Sequence, residues 1–361
     1  MRRIPLVLLT LGLTSGLAAC QSEAGQTAGG ATAPDSPAAS ADPVTAVPES
    51  RTFRDWTVTC GNNGDCTAFG SVADDNGWLR LFMPAGPGAE PVVHVGMWMS
   101  DGSVVPTLTI DGQPFASRIE DDLARIPADR TRAVIDALAE GRAAELGTAD
   151  GSLAVSVSGI SAALLWIDER QGRLGTVTAL IRKGDAPAST VPAAPTLPVV
   201  AAAPAVAQTG LTATQLPDAV EDLDPVRTCR TDTDFNPDFQ YDIQHYRLAA
   251  DTVLWGVPCF MGAYNTGYLY VLTDNAGASP RIVSLPTTGE AMETPINPEY
   301  DPATRRLEAF GKGRGLGDCG TVHQWIWTGR AFVLEHERRM EACMGVTADL
   351  WPVTWDTRPA T

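Results

Sequence analysis

Charge is scarce in this chain, and basic charge is scarcest. Charged residues make up 19% of 361 positions, with 26 Lys and Arg against 43 Asp and Glu, a formal net charge of −17. No Lys/Arg cluster could follow a phosphate backbone, so a nucleic-acid partner is excluded. Long apolar runs are missing as well: beyond the N-terminal segment none reaches 18 uninterrupted residues, and no spanning helix is expected there. The four histidines are scattered and no Cys-x2-Cys pair is present, so the spacing of a zinc site is lacking. Neither a Gly-x-Ser-x-Gly elbow nor a Gly-x-x-x-x-Gly-Lys phosphate loop occurs. No cofactor and no metal are therefore expected, and no complete catalytic constellation can be read.

What is present is glycine (34) and proline (27), within a chain that is 44% apolar. That is too apolar for disorder throughout, and turn-formers at this density cut a chain into short strands. The length suggests two domains plus linkers.

The first residues read as an export signal. Arg2-Arg3 precede an uncharged, mostly apolar run of 14 residues, Ile4 to Leu17, too short for a spanning helix of about 20 residues. Leu17-Ala18-Ala19-Cys20 then resembles the lipobox of bacterial lipoproteins, which implies cleavage before Cys20 and its acylation. Two or three acyl chains, at roughly 0.8 kcal/mol per buried CH2, anchor a protein stably where one does not. Residues 1–19 are thus expected to be a lipoprotein signal peptide, with the membrane a partner through the lipid on Cys20. Residues 20–50 follow as a flexible tether, since Gln21 to Ser50 contains no aromatic residue and cannot bury enough area to offset its ordering entropy. The expected location is the bacterial cell envelope, facing the periplasm or the cell surface.

Seven cysteines is an odd count for an exported chain. Assigning Cys20 to lipid leaves Cys60, Cys66, Cys229, Cys259, Cys319 and Cys343. Sequence alone leaves their connectivity open, and neighbour pairing is the simplest. On the loop-entropy model the short Cys60–Cys66 loop contributes roughly 2.3 kcal/mol and each longer loop roughly 3.5 kcal/mol.

Residues 51–185 read as an α+β domain, β-sandwich-like with one or two helices. Phe53, Trp56, Val58 and Cys60 open a strand, Gly61 to Asp65 is turn chemistry, and Thr67 to Val72 returns. Further strands are expected at Trp78–Met83, Val92–Trp98, Thr107–Ile110, Leu153–Ser158 and Thr176–Ile181. Asp129 can cap a helix that presents Val134, Ile135 and Leu138 and ends at Gly141, and Ser161 to Gln171 is a second, short helix. Residues 186–208 carry Pro187, Pro192, Pro195, Pro198 and Pro204, the composition of a semi-rigid extended linker. Residues 209–361 read as a mostly β domain. Its strands are expected at Tyr246–Leu248, Thr252–Trp255, Tyr268–Leu272, Arg281–Leu285, Leu307–Phe310, His323–Trp327, Ala331–Glu337 and Trp351–Trp355.

Two resemblances follow from these residues. Asp55-Trp56-Thr57-Val58 with Cys60 and Cys66, Ile110-Asp111-Gly112, the helix ending at Gly141, and Ser158-Gly159 resemble the exported invasion-associated locus B proteins over 51–182. Longer strings resemble the bacterial family called domain of unknown function 1176 over 51–358. They are Asp168 to Gly175 (DERQGRLG), Pro258 to Asn265 (PCFMGAYN), Gly311 to Gly320 (GKGRGLGDCG), and Trp351-Pro352. The resemblance implies an exported two-part envelope protein and transfers no catalytic residue.

Several local patterns invite a chemical reading. Asp232 to Asp238 begins like an EF-hand loop, but Pro237 stands where Gly is required and Ile243 where the bidentate Glu belongs, so an Asx-rich turn is the simpler reading. His336-Glu337-Arg338-Arg339 opens like a zinc-protease motif and fails at Met340, where the second histidine belongs. Gly311 to Gly320 is the most suggestive loop: Lys312 and Arg314 could meet an anion, with Asp318 orienting Arg314. The competing account is a wide turn with Asp318 bound to local backbone. Trp325 and Trp327, like Tyr268 and Tyr270, alternate along strands and read first as packed core, with an open stacking face as the alternative. The candidate ligand loop is therefore Lys312, Arg314, Asp318, Trp325 and Trp327. His94 reads as a strand histidine, and Asp74-Asp75 and Asp121-Asp122 as solvated turns.

The leading function is a non-enzymatic envelope binding or interaction module with an envelope protein or glycan partner. The alternative is an envelope hydrolase pairing Asp318 with Glu335 or Glu337. Replacing Cys20 by Ser should abolish metabolic fatty-acid labelling of the chain; label persisting on the C20S variant would contradict the lipobox.

Overall fold

The computed structural model describes residues 47–72, 77–98, 104–148, 151–210, 215–232 and 243–360. The expected signal peptide, Cys20 and all but the last four residues of the tether lie outside that set, as do Asp74-Asp75 and residues 233–238 of the Asx-rich segment.

Chain order begins with β1 (Glu49–Phe53), β2 (Trp56–Cys60), β3 (Cys66–Ser71), β4 (Gly77–Met83) and β5 (Val92–Met97), paired antiparallel in sequence. The first strand thus begins at Glu49, two residues before Arg51. The hairpin β6 (Thr107–Ile110) and β7 (Gln113–Ala116) opens a second sheet. The hairpin β8 (Arg118–Glu120) and β9 (Leu123–Arg125) returns to the first. After α1 (Ala128–Glu140), β10 (Ala144–Thr148) and β11 (Gly151–Val155) complete the second sheet, and α2 (Ile160–Arg170) follows. The first sheet runs β1-β2-β3-β4-β5-β9-β8 and the second β11-β10-β6-β7.

Strand alternation explains which face is inner. On β4, Leu79, Leu81 and Met83 meet Leu108, Ile110, Leu146, α1 (Val134, Ile135, Leu138) and α2 (Leu164, Ile167) in one core. Each such side chain gains about 1.5–3 kcal/mol on full burial. Trp78, Arg80 and Phe82 are left on the outer face.

Two local expectations are corrected. Asp129 lies in the first turn of α1 and does not cap it; the cap position is Pro127, with no side-chain hydrogen bond. Thr176–Ile181 is not a strand. The carboxylate of buried Asp168 instead accepts the N–H groups of Leu180 (2.7 Å) and Ile181 (2.8 Å), holding the segment in tight turns without a ladder. Buried Arg173 of the same string donates to Gln171 Oε1, Thr178 Oγ1 and the carbonyls of Pro84 and Gly86. The side chains of Asp168, Gln171 and Arg173 are thus committed to architecture.

Within 186–208, β12 (Val199–Val200) pairs in parallel with the last strand, and Ala203 N–H donates to Trp327 O. Two helices that the strand-rich reading omitted come next, α3 (Asp218–Glu221) and α4 (Asp224–Asp232). Pro217 at the cap of α3 and Pro225 inside the first turn of α4 are the sequence signals for them. β13 (Gln244–Ala249), β14 (Thr252–Met261), β15 (Thr266–Thr273) and β16 (Arg281–Ile282) form a four-stranded meander. β17 (Pro298–Asp301), β18 (Arg306–Lys312), β19 (Gly320–Trp327), β20 (Phe332–Met340) and β21 (Val353–Trp355) form a five-stranded one, and β22 (Arg358–Pro359) closes the chain on β12. Leu254, Tyr270 and Leu272 of one meander pack with Tyr300, Leu307, Trp325, Trp327 and Phe332 of the other. The α4 residues Val226 and Cys229 cover the opposite face of the first meander, on Val253, Trp255 and Val271. The fold is thus α+β in its first part and mostly β in its second.

The two parts share a core. Phe69 and Trp78, on the outer face of the first sheet, pack with Met340, Met344, Val346, Leu350 and Trp351. Buried Asn62, in the β2–β3 turn, donates from Nδ2 to Asp356 O and accepts Asp356 N–H at Oδ1, both at 2.8 Å. A side chain at Gly61 would overlap Val353 O, so this turn seats flush on β21.

Candidate functional site

Two strings that are 45 residues apart in sequence meet at one end of the second part. Pro258 to Asn265 spans the end of β14 and the turn into β15, and Gly311 to Gly320 spans the end of β18, the loop after it and the first residue of β19. Asn265 joins them: its Nδ2 donates to Lys312 O (2.8 Å) and its Oδ1 accepts Lys312 N–H (3.2 Å). Asn297 braces both from below, donating to Asn265 Oδ1 and Phe310 O and accepting Thr266 N–H. Tyr264 leans on Gly315, where a Cβ would stand 3.3 Å from its ring. Gly320, at φ 133°, passes so close to Gly311 O that any side chain there would overlap it.

Both loops are pinned at their bases by disulfides. Cys229–Cys259 ties α4 to β14, Cys319–Cys343 ties the glycine loop to the segment after β20, and Cys60–Cys66 closes the β2–β3 turn. All three match neighbour pairing. Disulfides persist in oxidising compartments, which indicates an extracytoplasmic location. Among the described residues no helix is long and apolar enough to cross a membrane.

Four large apolar side chains stand exposed around this tip: Phe260 (42%), Met261 (36%), Tyr264 (42%) and Leu316 (50%). Lys312 lies beside them with its ammonium 5.6 Å from the Phe310 ring. Arg314 is held by Asp318 in a bidentate pair (2.7 and 2.5 Å), and its Nη2 also donates to Cys343 O. The other bond to Asp318 comes from Gly345 N–H (2.7 Å). Arg314, with its neighbour's bonds and salt bridge in place, lowers the pKa of Asp318 below the usual carboxylate range. Of the five loop candidates, Lys312 and Arg314 belong to the tip, and Asp318 is buried beneath it as the brace of the disulfide loop. Trp325 and Trp327 take the first of their two readings, packed core, and so leave the candidate ligand loop: both are buried between the sheets, and Trp325 Nε1 donates to Pro286 O. Tyr270 is buried in the same core. Phe260, Met261, Tyr264 and Leu316 belong to the two quoted strings, where the sequence assigns them no role; the signal available is their place between glycines.

The carboxylates proposed for hydrolysis are each committed elsewhere. Glu335 forms a bidentate pair with Arg306 at 2.6 and 2.7 Å. Glu337 is buried, 3.3 Å from His323 Nε2, and accepts from Thr288 N–H, Thr288 Oγ1 and Thr354 Oγ1. Asp318, Cys319 and Cys343 stand close enough for a metal trio, but the two sulfurs are bonded to each other. His336 sits in a strand, accepting from Arg338 Nε at its Nε2, and Ile243 precedes β13. Asp121 and Asp122 form an exposed turn, both at positive φ.

Comparison with known proteins bears on both strings of the tip. The family model described as "Protein of unknown function (DUF1176)" matches residues 50–358. The chain belongs to that family. "Uncharacterized protein YpfG" of Escherichia coli (strain K12) is 31% identical, across 87% of this chain and 95% of that protein. No solved structure matches. In this DUF1176 member the family match spans both parts, the shared core and both loops of the tip.

Glu337 gives the second part a pH dependence. Burial alone would raise its pKa, but the His323 imidazole 3.3 Å away and the bonds from Thr288 and Thr354 outweigh it and hold it at about 2, below the ordinary 4.5. A depressed folded pKa gives stability that is fully present above about pH 4.5 and lost as pH falls through about 2, here on the order of 3 kcal/mol. E337Q should therefore unfold at lower urea than the parent at pH 7, with the gap closing between pH 4.5 and 2. A gap that stays constant across that range would contradict the charged, hydrogen-bonded state of Glu337.

Proposed function

We propose that this protein is a non-catalytic interaction module of the bacterial envelope, anchored through lipid on Cys20, that docks a protein partner by its disulfide-pinned tip. The part spanning 209–361 carries the docking surface, and 20–50 supplies reach from the membrane. The observation that carries the reading is the convergence of Phe260, Met261, Tyr264 and Leu316 on two loops fixed at their bases. Exposed apolar clusters of this kind mark interaction sites, and pre-fixed loops lose little entropy on binding. The mixture of aliphatic and aromatic side chains suits a protein partner, whose hot spots fill such anchors. A glycan would call for rings flanked by free polar groups, whereas Asn265, Asn297 and Arg314 are already spent within the tip. Nothing comparable favours a hydrolase, since Asp318, Glu335 and Glu337 each hold fixed internal partners.

The test is a photo-crosslinking amino acid at Tyr264 in living cells, with the exposed Leu174 as the control position. A discrete protein adduct is expected from position 264 alone, and it should be lost when F260S and L316S are added while the variant keeps the parent's urea midpoint. Adducts of equal yield from both positions, or a glycan as the sole adduct at 264, would refute protein docking at the tip.

A further inference from the structure

The outer face of the first sheet carries a row of basic side chains that register alone brings together. Phe69 on β3 pairs with Arg80 on β4, Arg80 with His94 on β5, and His94 with Arg125 on β9. Cross-strand partners on one face stand about 4.5–5.5 Å apart at Cβ, so Arg80, His94 and Arg125 are immediate neighbours. The Arg80 guanidinium lies over the Phe82 ring at 4.8 Å, which leaves its N–H edge directed away from the stack. Its Nη1 is 3.2 Å from His94 Nδ1. Because a guanidinium has no acceptor, that contact makes Nδ1 the acceptor and puts the imidazole proton on Nε2, a further donor.

Donors here outnumber acceptors. Arg80 Nε and Arg125 Nε are buried and meet no hydrogen-bond partner among the described residues. Buried donors of this kind are normally satisfied, and each exception calls for a cause. The facing carboxylates are Glu120, which is shared between Arg118 and Arg125, and Asp349 near Arg80. Arg338 approaches the same row from β20, its Nη1 spent on the carbonyls of Ala348 and Asp349. Four guanidinium groups, of Arg80, Arg118, Arg125 and Arg338, thus meet Glu120 and Asp349 along this row, in a chain of net charge −17. The field is felt by His94, whose pKa falls to about 4, first through burial and then through Arg80 and Arg125.

A cavity of about 370 Å³ opens one pleat further along the same face, lined by Trp78, Gly96 and Leu123 and by three acidic residues, Asp121, Asp122 and Asp349. Trp78 and Gly96 are themselves cross-strand partners, two residues from Arg80 and His94 on their strands. A ligand lying in the cavity could therefore extend a polar head onto the row.

We propose that Arg80, His94 and Arg125 form an oxyanion-binding site, taking the carboxylate or phosphate group of a small ligand whose body occupies the adjoining cavity. The forked guanidinium edges match the geometry of either group, and the His94 Nε2–H adds a neutral donor. The site is independent of the tip, lying on the first sheet, so either can fail without the other.

The experiment follows the His94 imidazole resonances of the full chain at pH 7 and fixed ionic strength, assigned through H94Q, during separate titrations with inorganic phosphate and acetate. A saturable shift is expected with at least one of them, and the responding anion identifies the group. R80Q and R125Q should each weaken that response about tenfold or more. Folding is checked by near-ultraviolet circular dichroism, and R125Q, on a three-residue strand, serves if R80Q does not fold. No saturable shift with either anion, an unchanged affinity in R125Q, or an equal shift with sodium chloride would overturn the proposal.

Discussion

The structure depends on covering the outer face of the first sheet. Strict alternation on β4 sends Leu79, Leu81 and Met83 inward, so Trp78 must point the other way. A tryptophan left on an open sheet face would cost burial free energy and invite association. The segment 340–351 removes that exposure, bringing Met340, Met344, Leu350 and Trp351 onto Phe69 and Trp78. Everything else at the junction follows from this contact. Asn62 finds Asp356, Gly61 seats on Val353, and Arg338 is carried over the basic row of the first sheet. The same contact half-buries that row and so makes its free N–H groups matter.

The second constraint is covalent. Cys60–Cys66 closes a turn of glycines and asparagines, Cys229–Cys259 ties α4 to the end of β14, and Cys319–Cys343 pins a loop in which every second residue from 311 to 317 is glycine. Cross-links of this kind limit the unfolded chain by roughly 2–4 kcal/mol each on the entropy model. They also relieve the tip of building a core of its own. Phe260, Met261, Tyr264 and Leu316 can then face solvent while Asn265, Asn297 and the Arg314–Asp318 pair fix the backbone beneath them.

Much of this was legible in the residues. Hydrophobic alternation located most strands, the 3.6-residue spacing of Val134, Ile135 and Leu138 located α1, and odd-cysteine arithmetic led to the three neighbour disulfides. What the residues could not show was long-range. Thr176–Ile181 has the composition of a strand, yet Asp168 captures its N–H groups from twelve or more residues away. Trp325 and Trp327 alternate as an open stacking face would; only the packing of one meander on the other decides that they are core. The basic row needs the register of β4, β5 and β9, and β9 arrives through a chain excursion into a different sheet. The tip needs two distant turns to meet, and Asn265, unremarkable in sequence, makes the joint.

The most direct measurement of the docking claim is hydroxyl-radical footprinting of the protein in intact cell envelopes and after purification. Phe260, Met261, Tyr264 and Leu316 should be oxidised freely in the isolated protein and protected severalfold in envelopes, while exposed Leu174 and Val177 react alike in both. Equal oxidation of the four tip residues in both preparations would contradict a partner at the tip.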